Sequence, residues 1–185
     1  MKRKDYLFIL YVPLALLLIP ITGQLTVDGW NWKWHGFVFA WAVFTFATWF
    51  FRFLVTRPWT NLPYKIAVGL AIVAGFLTVW CDLAAQIIGE DNPGNVFYLL
   101  TVLGGFIGVC LARFRPMGLA WVAFGMALSF LLIPVVAVLN WPSDFSPGYP
   151  QVQLGSTVLA AIFVASGLLF RRAASHPVTP APAAG

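Results

Sequence analysis

Leu14-Ala15-Leu16-Leu17-Leu18-Ile19 is an apolar run without alternation. A strand of a membrane barrel turns one face to lipid and one to the lumen, so its apolar residues alternate over about ten positions. A continuous run suits a helix, whose backbone groups pair within the segment and ask nothing of lipid. Working outward, the run belongs to an apolar segment over 6–22, and further segments follow at 35–55, 65–88, 95–112, 118–139 and 155–170. A bilayer core about 30 Å thick takes about 20 apolar residues per helix. The expectation is an all-α fold: a polytopic transmembrane helix bundle of six spans forming one domain over 1–172. The first and last spans are short, which predicts places at the bundle edge or local thinning of the bilayer. A Pro- and Ala-rich tail over 173–185 reads as disordered.

Composition agrees. Of 185 residues, 61% are hydrophobic and 9% charged, against about 25% charged in a soluble domain. That deficit excludes an ordinary soluble enzyme, a nucleic-acid binder and a disordered chain. The net charge is +5, and its distribution says more than its size. With the N-terminus in the cytoplasm, Lys2, Arg3, Lys4, Arg52, Arg57, Lys65, Arg113, Arg115, Arg171 and Arg172 all fall inside, and of the 11 basic residues only Lys33 falls outside. The positive-inside rule selects this orientation, with both termini cytoplasmic. Asp28, Glu90, Asp91 and Asp144 then fall outside. The basic start followed by an apolar run also resembles a signal peptide, but no Ala-x-Ala site follows Pro20, so the first helix reads as retained.

Trp30, Trp32, Trp34, Trp59 and Trp141 stand near helix ends, where indole rings anchor at the headgroup level. An aromatic cage at 30–34 is the alternative. The second segment is crowded with rings, from Phe37 to Phe53, which read as lipid-facing bulk, with a quinone or isoprenoid groove as the alternative. In lipid, small residues permit the close backbone approach that holds helices together. Gly104, Gly108 and Ala112 form one such stripe. Ala71 and Gly75 form another, continued by Thr78, Asp82 and Gln86 on the same helical face.

Asp82 is the only acid inside an expected span, about 10 Å below the outer helix end at 1.5 Å per residue. A charge at mid-bilayer costs about 2.5–3.5 kcal/mol on insertion scales and marks a functional hypothesis. The candidate polar or ion site comprises Asp82, Gln86, Thr78 and His35; the bland alternative is a structural acid bonded to a neighbouring helix. The loop 90–95 offers oxygen ligands but no calcium-loop pattern, and reads as a turn with Asn95 capping the next helix. Cys81 and Cys110 belong to opposite ends of their helices and read as buried, inert thiols beyond disulfide reach. No catalytic residues, metal site or cofactor are expected: paired intramembrane His, HExxH, a phosphate loop and a serine with a basic partner are all missing from the sequence.

Trp80-Cys81-Asp82-Leu83-Ala84-Ala85-Gln86-Ile87-Ile88-Gly89, running on to Asn95, together with Ala112-Arg113-Phe114-Arg115-Pro116-Met117-Gly118, resembles a family of small bacterial integral membrane proteins of unassigned function. The resemblance covers about 64–125 and implies a bacterial inner-membrane setting; it supplies no activity. In that pattern the position of Asp82 is often Asn, which implies a hydrogen-bonding role an amide also fills. The functional expectation is a non-catalytic structural or accessory membrane component, in contact with membrane lipids and with a second copy or another membrane protein. The alternatives are a small transporter or channel using the outer-leaflet site around Asp82 and, last, a lipid enzyme.

Overall fold

In the computed structural model, residues 3–26, 32–57, 60–89, 92–142 and 148–176 are described, without the side chains of 3–4 and 83–85. They form seven helices: α1 (Arg3–Leu16), α2 (Leu18–Thr26), α3 (Trp34–Val55), α4 (Leu62–Ala85), α5 (Asn95–Leu111), α6 (Pro116–Asn140) and α7 (Tyr149–Ser175). Five lengths of helix are long and apolar enough to cross a membrane, and α5 is a shorter apolar helix. Trp30 and Trp59, the acids Asp28, Glu90, Asp91 and Asp144, and residues 177–185 lie outside the described residues. The chain divides into two units, 1–58 and 59–185.

In the first unit, α1 and α2 together make one crossing length, Asp5–Thr26. The break at Leu17 follows from Pro13 and Pro20, which have no N–H to return to the preceding turn. The bonds Leu17 N–H to Pro13 C=O (3.0 Å) and Ile21 N–H to Leu17 C=O (3.1 Å) carry the helix across it. α1 packs on α3 in antiparallel fashion. Asp5, in the first turn of α1, forms an ion pair with Arg52, in the last turn of α3. The same guanidinium lies over the Phe8 ring, 5.2 Å from its centroid. Ala40, Phe44 and Thr48, one turn apart, supply the buried face of α3, whereas Phe39, Trp41, Phe46 and Trp49 are exposed. Its rings therefore sort onto faces, and the exposed Phe46 and Trp49 stack on the half-buried Phe50 and Phe53 along the helix.

In the second unit, α5 packs on α4 and α6, and α7 packs on α4 and α6, which closes a ring of four helices. Its core is small and aromatic. Phe130 stacks on Phe163 with centroids 5.4 Å apart, and Tyr98 leans on Phe130 at 5.7 Å. Ala120, Ala123, Ala127 and Ala137 of α6 are buried, as are Ser156, Ala160 and Gly167 of α7. A Cβ on Gly167 would come within 2.7 Å of the Phe124 ring, so the helices touch where this residue lacks a side chain. Asn61 caps α4 by accepting from the Tyr64 N–H at 3.1 Å and donates to the carbonyls of Ala173 (3.1 Å) and His176 (2.9 Å). The Tyr64 hydroxyl donates to the Phe114 carbonyl at 3.1 Å. The start of α4, the α5–α6 turn and the end of α7 therefore meet at one end of the ring. Lys65, Arg113, Arg115, Arg171 and Arg172 are all exposed there.

The expected spans shift in three places. The last helix is not short but runs 27 residues, because Gln151, Gln153, Arg171 and Arg172 continue it as a helix though they lower its hydropathy. The first is likewise full length, and the short one is α5, with 17 residues. Finally, α4 ends at Ala85 and not at Ile88, because Gln86 turns into the left-handed region at φ 49°. At the C-terminus, residues 173–175, expected in the tail, complete α7.

Candidate functional site

The polar residues of the second unit gather at the end opposite its basic side chains. α4 brings Thr78 and Asp82, one turn apart, to the interior, where both are buried. Thr78 Oγ1 donates to the Ala74 carbonyl of its own helix at 2.8 Å. Asp82 is 6% exposed, and its Oδ1 has no hydrogen-bond partner. The backbone amide of Ile87 interacts with the carboxylate. The Tyr98 hydroxyl pairs with Ser156 Oγ of α7 at 2.7 Å, and both residues are fully buried.

The α4–α5 connection closes over this group. Asn95 is the residue that organises it. Its side chain accepts from the Ile88 N–H at 2.9 Å and donates to the Gly89 carbonyl at 2.9 Å, returning the chain onto the first turn of α5. Asn92 Oδ1 takes the Gly94 N–H at 2.7 Å, an Asx turn, and its Nδ2 is buried without a partner. Gly94 has no room for a side chain: a Cβ would meet Ile88 Cδ1 at 2.7 Å and Asn92 Oδ1 at 2.8 Å.

Of the expected set, the structure brings Asp82 and Thr78 together on one face of α4. Gln86 is the C-cap of α4 and half-buried; its N–H still returns to the Asp82 carbonyl at 3.0 Å, but at φ 49° its backbone leaves the helical path. His35 belongs to the first unit, is exposed, and meets Trp34 edge-on at 6.0 Å. Tyr98 and Ser156 are the members that sequence reasoning missed. Asn95 was legible as a cap, but its bonds to 88 and 89 were not.

Among the small residues, Ala71 packs against the core, while Gly75 is half-buried with open space where a Cβ would stand. The fully buried small positions of α4 are Ala67 and Ala74. On α5, Gly104 is exposed with nothing within 4 Å of a Cβ, and Gly108 meets Val122 at 2.9 Å. Ala112 sits against Gly118 across the turn, and Gly105, beside the expected stripe, is the buried glycine, set against Met126. The thiols differ from expectation as well: Cys81 and Cys110 are free, and both are exposed, because their helix positions face away from the ring.

No family model, curated protein or solved structure matches this chain, and the resemblance noted from its sequence acquires no support from those comparisons.

Proposed function

We propose that the chain is a multi-pass protein of a bacterial inner membrane, with both termini cytoplasmic, acting as a non-catalytic structural or accessory component. The orientation draws its support from the basic end of the four-helix ring, because positively charged loops are retained on the cytoplasmic side. The structural role is supported by one observation above all: Asn95, Tyr98 and Ser156 at the other end hold separate elements together. Asn95 stitches the α4–α5 connection, and Tyr98 joins α5 to α7 through Ser156. Asp82 lies buried within this group.

A second reading, a small transporter or channel, is favoured by the unpartnered buried Oδ1 of Asp82. Asp82→Asn separates the two. The structural reading expects proton and sodium flux into proteoliposomes at the protein-free level for wild type, and an Asp82→Asn variant that stays monodisperse in detergent. Flux in wild type that Asp82→Asn abolishes would overturn it in favour of the transporter.

A further inference from the structure

An open groove of about 590 Å³ runs down the outer flank of the second unit between α5 and α6. It lies within the 300–1,000 Å³ range, approximately, of small-molecule sites. Phe97 and Val136 line it toward one end, and Gly108 and Val122 toward the other. Gly104 and Gly125 hollow it, with open space where side chains would stand. Its two hydroxyls offer no polar invitation: Thr101 donates to the Phe97 carbonyl at 2.8 Å and Ser129 to the Gly125 carbonyl at 3.1 Å, each within its own helix. From Phe97 to Gly108 the groove is about 16 Å long at 1.5 Å per residue. That is about half the 30 Å hydrocarbon core, the depth of one leaflet.

Arg113 and Arg115 stand just beyond its Gly108 end, in the turn that joins the two walls. Both are exposed. The turn holds its shape through successive left-handed residues, Arg113 at φ 50° and Phe114 at φ 60°, and through the Tyr64 hydroxyl on the Phe114 carbonyl. No Asp or Glu occurs anywhere from 92 to 143, the stretch that builds both walls and the turn. At about 25 Å, the 17-residue α5 is shorter than the hydrocarbon core, which draws this turn to headgroup depth.

We infer that this groove holds one acyl chain of an anionic phospholipid, with the headgroup phosphate on Arg113 and Arg115. An acyl chain matches the groove in polarity and in length, and the guanidinium pair at one end selects negative over zwitterionic headgroups. The inference rests on the membrane reading above; a chain that purified without detergent would defeat that reading, independently of any lipid result.

The test is native mass spectrometry of the full chain in detergent, titrated with phosphatidylglycerol and with phosphatidylcholine of the same acyl chains. Wild type is expected to retain phosphatidylglycerol in preference. Arg113→Gln with Arg115→Gln is expected to weaken phosphatidylglycerol at least tenfold, from about fivefold per basic residue near a charged membrane surface, and phosphatidylcholine, whose choline offsets the phosphate charge, by less, so that the preference is lost. Arg113→Lys with Arg115→Lys keeps the charge and is expected to keep the preference, which controls for folding. Gly104→Leu fills the groove and is expected to weaken both lipids. Equal retention of the two lipids by wild type, or phosphatidylglycerol retention indifferent to the Gln pair or to Gly104→Leu, would overturn the inference. So would a wild-type dimer that Gly104→Leu dissolves, since a second copy would then occupy the groove.

Discussion

Two hydroxyls facing each other in a bundle interior join helices only as strongly as the alternative partners allow. Between membrane helices such bonds average about 0.6 kcal/mol and reach about 1.7 kcal/mol. Tyr98→Phe and Ser156→Ala are each expected to lower stability by about 1 kcal/mol, and the double variant to cost no more than the larger single change. Thermal unfolding in detergent checks this; full additivity would show that the 2.7 Å contact is not a bond. Asp82 was legible from sequence because it is the only acid inside an expected span. Tyr98 and Ser156 were not, since 58 positions separate them and neither residue type is unusual in a membrane helix. Asp5 went unremarked for a different reason: it precedes the apolar run, and only the fold reveals that Arg52 ends its helix opposite.

Helices of this protein meet through residues too small to keep them apart, and the consequences differ sharply between glycines of similar sequence context. Gly167→Leu drives a side chain into the Phe124 ring, a rigid neighbour, and is expected to cost about 1–3 kcal/mol through overpacking. Gly75→Ala meets nothing within 4 Å and is expected to stabilise by about 0.5–1 kcal/mol, the helix-interior cost of glycine relieved. Chemical unfolding of the two variants side by side checks the contrast; equal effects would contradict the packing of α6 on α7. At the start of α4, Asn61→Ala removes a cap and two bonds to the last residues of α7 and its C-cap, and about 1–2 kcal/mol is expected. Sequence spacing found the stripes but not which positions bury. Adjacent positions point about 100° apart on a helix of 3.6 residues per turn, so Gly104 ends outside while Gly105 is inside. Helix lengths were misjudged where apolarity stood in for helicity. The Gln residues that begin α7 and the Arg residues that end it lower its hydropathy and remain helical.

At the scale of the whole molecule, the four-helix ring has a polarity along its axis. One end presents Lys65, Arg113, Arg115, Arg171 and Arg172; the other buries Asp82 beneath the Asn92–Asn95 turn. Counting basic residues against expected spans already revealed this asymmetry, because it depends on segment order and not on side-chain contact. How the ring closes was beyond the sequence, since nothing in one chain's pattern says that α7 returns to α4. The most direct measurement labels single cysteines in intact cells with a membrane-impermeant maleimide, after Cys81→Ser and Cys110→Ser. Asn140→Cys, at the exposed end of α6, is expected to react from outside, and Ser175→Cys, at the end of α7, only after permeabilisation. Ser175→Cys reacting in intact cells, with Asn140→Cys protected, would contradict the account.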